Sequence, residues 1–235
     1  MAAAVGWGAL AASSLVIGAL LAFARKWPPQ QTGIVLAFGA GALISAVSFE
    51  LVEEGTETAG LRWVALGLGI GAITYFLADG ALDRREARRS GGGAAGTSLA
   101  LGAFLDGIPE QLVLGIGLAA GEGVSVGLIV AIFVSNLPES IGSANEMHEA
   151  GRSREQVLRL WIVVAVICLI ATVVGYAIAD AAPAELRAAI DGFAGGALLV
   201  MLIDSMIPGA RADAGRIAGL VTVLGFAVAF ALSSV

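Results

Sequence analysis

The chain has 235 residues, of which 58% are hydrophobic and only 14% are charged, and its mean hydropathy is +0.90. Soluble globular chains have about a quarter of their residues charged, so this composition argues against a soluble domain and indicates that lipid is the solvent. The net charge of −6 by itself says little about nucleic acid, and no nucleic-acid partner is expected. One cysteine and one histidine exclude a disulfide within the chain and a metal centre of the Cys/His type.

The apolar runs predict eight transmembrane helices in a single domain over residues 1–235. A span needs about 20 predominantly apolar residues. The predicted spans are residues 4–24, 32–52, 61–80, 97–120, 123–146, 157–180, 186–207 and 215–234. The first run has no basic segment before it and is interpreted as a span, not as a cleaved signal peptide. Residues 83–96, basic and then glycine-rich, form a predicted cytoplasmic linker.

The distribution of basic residues predicts the orientation. Of the 13 Lys and Arg residues, all but Arg62 and Arg187 lie in alternate connections, which places both termini outside the cytoplasm of a multi-pass protein in the cell (inner) membrane. The opposite connections are acidic and either raise the local cation concentration or are ordinary solvated loops. Their acids are Glu53, Glu54, Glu57, Glu122, Asp180 and Glu185. Glu50, near the outer end of the second span, either lines an entrance or lies at the membrane interface.

Spans four and five carry matching polar motifs near half depth. They read Asp106-Gly107-Ile108-Pro109-Glu110 and Ser135-Asn136-Leu137-Pro138-Glu139. A charge at the centre of a membrane helix costs roughly 2.5–3.5 kcal/mol, and a proline there opens the helix locally. In each motif the first residue and the glutamate are four apart and share a helical face. Antiparallel packing of the two helices would therefore gather oxygen atoms that suit a cation.

Spans two and seven contain similar stretches. Gly41-Ala42-Leu43-Ile44 and Gly196-Ala197-Leu198-Leu199 are each followed by an acid eight or nine residues later. Because spans 1–3 and 6–8 cross in opposite senses, this similarity predicts an inverted repeat around spans 4 and 5, an architecture common in secondary transporters. The faces of small residues would also permit a homodimer.

These features together resemble the ZIP (Zrt/Irt-like) family of divalent metal transporters, as a divergent prokaryotic-type member. In that family the fourth span typically reads His-Asn-x-Pro-Glu-Gly. Here Asp106 stands where the first histidine would be, Gly107 replaces the asparagine, and Ser135 stands where the histidine of span five would be. The resemblance implies the ZIP fold and a mid-membrane metal site. Its expected ligands are Asp106, Glu110, Ser135, Asn136, Glu139 and Asp204.

The resemblance implies a transporter, not an enzyme, whose substrate is a divalent metal ion such as zinc, manganese or iron moving into the cytoplasm. Without the two imidazoles, the site consists mostly of oxygen, which favours harder ions such as manganese or magnesium. A proton- or cation-coupled exporter of a small solute could use the same carboxylates, and a non-transporting sensor or scaffold would explain the missing histidines. An intramembrane protease based on Asp106 and Asp204 is disfavoured, because no catalytic signature surrounds either residue.

Overall fold

The computed structural model describes the backbone of residues 1–88, 95–120 and 126–233. The side chains in these ranges are described except those of residues 82, 83, 85–88, 95–106, 120 and 180. Over the described backbone the chain forms eight helical segments and no strand. Their bounds are Ala2–Ala24 (α1), Pro29–Ala59 (α2), Leu61–Arg88 (α3), Ala95–Ala120 (α4), Val126–Glu149 (α5), Arg154–Ala181 (α6), Ala184–Ala214 (α7) and Ile217–Ser233 (α8).

The helices are those of a membrane protein. Six of them, all except α4 and α8, contain stretches long and apolar enough to cross a bilayer, and α8 and the described part of α4 are shorter apolar helices. Large apolar side chains project outward from α3 and α8, where Ile70 is 58% exposed and Leu220 is 75% exposed. Such a surface is typical of helices that face lipid. The chain is therefore a polytopic α-helical membrane protein, and each predicted span corresponds to one helical segment.

Three helices extend well past their predicted C-terminal ends. α2, α3 and α7 continue past the predicted ends at residues 52, 80 and 207, as far as Ala59, Arg88 and Ala214. These extensions are rich in alanine, glutamate and arginine, which favour helix and can project beyond the apolar core of a membrane. α3 thereby covers the first residues of the predicted linker at 83–96, whereas residues 89–94 lie outside the described part.

Local sequence explains where several helices begin and end. Pro29 occupies the first turn of α2, where its missing N–H costs nothing. Gly60 and Gly215 end α2 and α7 with φ of +91° and +63°, a conformation that glycine adopts readily. Ser153 begins α6 with a capping box, in which its hydroxyl accepts from the Gln156 N–H and the Gln156 side chain accepts from the Ser153 N–H.

Replacing Ser153 with alanine removes one half of this capping box. We expect Ser153→Ala to lower the free energy of unfolding by about 1 kcal/mol, because a backbone N–H of the first turn loses its acceptor. Thermal unfolding of the purified protein in detergent measures the change. Ser13→Ala is the control, because the exposed Ser13 hydroxyl only donates to the Leu10 carbonyl within its own helix. Equal unfolding midpoints for the two variants would contradict the role of the cap.

Four of the helices pack in two matched pairs, α2 with α8 and α3 with α7. Gly41 of α2 lies against the Thr222 carbonyl and the Phe226 N–H of α8, so closely that an added methyl group would collide with them. Gly196 of α7 lies in the same way against the backbones of Leu68 and Ala72 of α3. Residues that make equivalent contacts differ in residue number by 155 between α2 and α7 and by 154 between α3 and α8. These paired contacts are the ones expected of the inverted repeat.

A π-helical segment interrupts α2 and α7 at equivalent places, a feature that the sequence did not predict. The segments are Val47–Glu53 in α2 and Leu202–Met206 in α7. Each begins six residues after the matched glycine, Gly41 or Gly196. Single π turns inside α-helices are rare and are frequent at functional sites. The segments carry Glu50 and Asp204, the acids that follow the two similar sequence stretches.

Candidate metal site

A buried carboxylate and a buried hydroxyl meet between α4 and α5. The Glu110 side chain is 1% exposed and Ser135 is fully buried. The Ser135 hydroxyl lies 3.3 Å from Glu110 Oε1 as a hydrogen-bond donor, and it also lies 3.0 Å from the Ile132 carbonyl oxygen. The two helices therefore bring these motif residues together, as the antiparallel arrangement of spans four and five predicted.

The rest of the α5 motif lies beside this pair. Asn136 is 1% exposed, and its side-chain Nδ2 has no hydrogen-bond acceptor among the described residues. Glu139, one turn after Ser135, is half-buried. Gly39 of α2 closes the other side of Ser135, since an added Cβ would lie 2.9 Å from the Ser135 Cα. A glycine at this position allows α2 to pack directly on the polar turn of α5.

The two prolines do not break their helices. α4 runs through Pro109 and α5 runs through Pro138 without a break. Each proline removes only one backbone hydrogen bond, and the bonds on either side are sufficient to maintain the helix. The departures from α-helical geometry lie instead in the π-helical segments of α2 and α7.

A second polar contact, between α4 and α6, was not predicted from the sequence. The Thr172 hydroxyl donates to Gln111 Oε1 at 2.5 Å, and both side chains are fully buried. Cys168, also fully buried, lies against Gly107, where an added Cβ would come within 2.8 Å of its sulfur atom. The available signal was a glutamine directly after the motif glutamate in an apolar span. It did not identify a partner 61 residues away.

Two of the six expected ligands are not part of this cluster as described. The backbone of Asp106 lies in α4, but its side chain lies outside the described residues. Asp204 lies on the π-helical segment of α7 with an exposed side chain, and no hydrogen bond or ion pair involves it among the described residues. The roles of Asp106 and Asp204 as ligands stay predictions.

The donor atoms at the site are predominantly oxygen. Among the side chains that the structure describes, no three His, Cys, Asp or Glu residues come together in a group that could hold a metal ion. Carboxylate, hydroxyl and amide oxygens of Glu110, Glu139, Ser135 and Asn136 are the groups offered instead. Such a donor set suits hard cations. A charged carboxylate buried at this depth is costly unless it is neutralised by a proton or a cation.

The two ends of the helical bundle differ in charge. At the end where α2 passes into α3, which we call the acidic end, α2 carries Glu53, Glu54 and Glu57. At the opposite end, which we call the basic end, the α1–α2 and α5–α6 connections carry Arg25, Lys26, Arg152 and Arg154. The buried pair of Glu110 and Ser135 lies on helices that run between these ends.

Comparison with known proteins identifies a similar sequence in a plant. No family model matches the chain. A protein of Arabidopsis thaliana named "Putative zinc transporter" is 28% identical over 221 residues, which cover 90% of this chain and 35% of that protein. The chain thus spans about a third of the length of the curated relative that it matches.

Proposed function

We propose that this chain is a ZIP-type transporter that carries divalent metal ions across the membrane through the site between α4 and α5. The observation that carries the proposal is the Glu110 carboxylate, 1% exposed inside a membrane helix and in contact with Ser135 of the neighbouring helix. A similar protein named for zinc transport aligns with most of the chain, which supports a metal ion as the substrate.

The proposed ligands act as a shared set of oxygen atoms. Glu110 and Glu139 supply the negative charge that replaces the hydration shell of the ion, and Ser135 and Asn136 supply neutral oxygens. Asp106 and Asp204 complete the set in this proposal, one turn before Glu110 and on the π-helical segment of α7. Half-buried Glu139 allows exchange of the ion, because a site that conducts must release what it binds.

We infer that the ion enters at the acidic end and leaves at the basic end. The acids of α2 attract cations toward the first end. The basic residues of the second end follow the pattern of a cytoplasmic face, which has an excess of Lys and Arg. The inferred direction is therefore uptake into the cytoplasm, and both chain termini lie on the non-cytoplasmic side of the membrane. A homodimer is compatible with this route and is not required by it.

Uptake by purified protein in liposomes tests the proposal. Radioactive zinc or manganese is supplied outside vesicles that contain the protein and a fluorescent metal indicator. Vesicles without the protein are the control. We expect saturable uptake that other divalent ions inhibit by competition. Absence of uptake for every divalent metal, with folded protein in the vesicles, would contradict the function. Uptake of an organic solute without metal competition would favour the exporter.

The oxygen-rich site also predicts a shift in metal preference. We expect manganese uptake to be comparable with or faster than zinc uptake, because zinc prefers nitrogen and sulfur ligands and manganese accepts carboxylate oxygens. Asp106→His should raise the ratio of zinc to manganese uptake about tenfold or more, a change of the size seen when the surroundings of a metal ligand are altered.

The matched control for this substitution is Asp213→His. Asp213 is an exposed acid near the end of α7. An unchanged metal ratio in Asp106→His, or tight zinc binding that survives Asp106→Ala, would contradict a metal contact at residue 106.

A further inference from the structure

Three oxygen atoms converge at the acidic end of the bundle, outside the site between α4 and α5. Glu50 Oε1, on the π-helical segment of α2, accepts a hydrogen bond of 2.5 Å from the Ser233 hydroxyl of α8. The same hydroxyl lies 3.1 Å from the Ala229 carbonyl oxygen. The contact joins residues 183 positions apart in the chain. One carboxylate, one hydroxyl and one carbonyl oxygen thus come together; we call them the outer oxygen cluster.

A glycine allows α5 to pack directly against this cluster. Gly127, in the first turn of α5, faces all three oxygens. A Cβ at this position would lie 3.0 Å from Glu50 Oε1 and 2.9 Å from the Ala229 carbonyl oxygen, and it would collide with Ser233 Oγ. Any residue larger than glycine would therefore displace the oxygens. Ser233 is exposed and Glu50 is half-buried, so the cluster can be reached from the acidic end.

The cluster lies at one end of the helix pair that leads to the buried site. Gly127 and Ser135 are both on α5, eight residues or about 12 Å apart along the helix. α2 contacts α5 at both levels, through Glu50 next to Gly127 and through Gly39 next to Ser135. An ion that moves along this contact from the acidic end would therefore meet the cluster before it reaches Ser135 and Glu110.

The inverted repeat provides an independent reason to assign a function to the pair of Glu50 and Ser233. The offset of 155 between α2 and α7 relates Glu50 to Ser205, and the offset of 154 between α3 and α8 relates Ser233 to Asp79. The equivalent positions in the other half of the repeat therefore also hold one carboxylate and one hydroxyl. The residue types are exchanged, because the hydroxyl lies on α7 and the carboxylate on α3. Each half of the repeat carries one such pair, near opposite ends of the bundle.

We propose that Glu50, Ser233 and the Ala229 carbonyl form a second cation site, which binds a divalent metal ion weakly at the acidic end before it passes to Glu110. The Ser233 hydroxyl can turn its hydrogen away and offer a lone pair, so that all three atoms face the ion. One negative charge with two neutral oxygens and water ligands suits a hard divalent ion in rapid exchange. This inference rests on the proposed transport of a divalent cation.

Kinetics of manganese uptake test the second site. We expect Glu50→Gln to raise the KM for manganese about tenfold, with the maximal rate largely kept, because the outer site captures the ion and the buried site transfers it. Glu155→Gln is the control, since Glu155 is an exposed acid at the basic end, away from the entry of the ion. A KM for Glu50→Gln within twofold of the wild type would overturn the proposal, as would an equal rise in Glu155→Gln.

Two further measurements guard against misfolding and against failure of the transport proposal. Gly127→Ala displaces the three oxygens without changing charge, and folded Gly127→Ala protein with an unchanged KM would also overturn the second site. Equilibrium binding of manganese, followed by electron paramagnetic resonance, is measured in Glu110→Gln protein. We expect a weak site that the additional Glu50→Gln removes. If Glu50→Gln removes this manganese binding but the wild-type protein takes up no metal, the transport proposal is refuted and the outer site is supported.

Discussion

Replacing Glu110 with glutamine is expected to abolish metal uptake while the protein remains folded. The substitution conserves volume, and the amide oxygen can still accept the hydrogen bond from Ser135, so packing between α4 and α5 is preserved. The charge that binds the cation is lost. Changes next to a metal ligand already lower affinity about 10- to 100-fold, so loss of a direct carboxylate ligand should reduce uptake at least about 100-fold. Glu139→Gln should have a comparable effect.

Glu155→Gln is the control for both variants. Glu155 is an exposed carboxylate at the basic end, paired with Arg159 at 2.6 Å, and its side chain is 74% exposed. Exposed ion pairs contribute about 0–1 kcal/mol to stability, so this variant should transport like the wild type. Initial rates in liposomes, normalised to the amount of folded protein, provide the comparison. A Glu110→Gln rate within twofold of the wild type would exclude Glu110 as an essential ligand.

The parts of this fold that follow from sequence are those governed by the bilayer. An apolar run of about 20 residues must be helical in lipid, because each backbone polar group needs a partner within the segment. The eight segments were therefore predictable from composition and length. The contact of Glu110 with Ser135 was predictable for a related reason, since two buried polar motifs in adjacent helices gain by facing each other instead of lipid.

The features that sequence did not reveal depend on contacts between distant segments. The π-helical segments in α2 and α7 carry no local signal, because the wider turn depends on the surrounding packing. Ser233 and Gly127, which complete the outer oxygen cluster, are unremarkable in the sequence until α8 and α5 are placed beside Glu50. Pro109 and Pro138 lie inside helices that continue without a break, because neighbouring hydrogen bonds preserve each helix.

Gly41→Ala and Gly196→Ala are expected to destabilise the protein by similar amounts. In both cases the added methyl group meets a backbone carbonyl of the partner helix, at Thr222 of α8 or at Leu68 of α3. A backbone cannot rotate away as a side chain can, so the two helices must separate. Overpacking of this kind costs about 1–3 kcal/mol. The midpoint of thermal unfolding in detergent and the yield of folded protein from membranes measure the effect.

Glycines with free space around them make the comparison decisive. A Cβ added at Gly69 of α3 or at Gly219 of α8 would meet nothing within 4 Å. There the same Gly→Ala change should stabilise the helix by about 0.5–1 kcal/mol, because alanine loses less backbone entropy on folding. The same Gly→Ala substitution is thus expected to lower stability at the packed glycines and to raise it at the glycines with free space. If Gly41→Ala destabilised the protein and Gly196→Ala did not, the two halves would not be mechanically equivalent. The assignment of Asp79 and Ser205 as counterparts of Ser233 and Glu50 would then lose its basis.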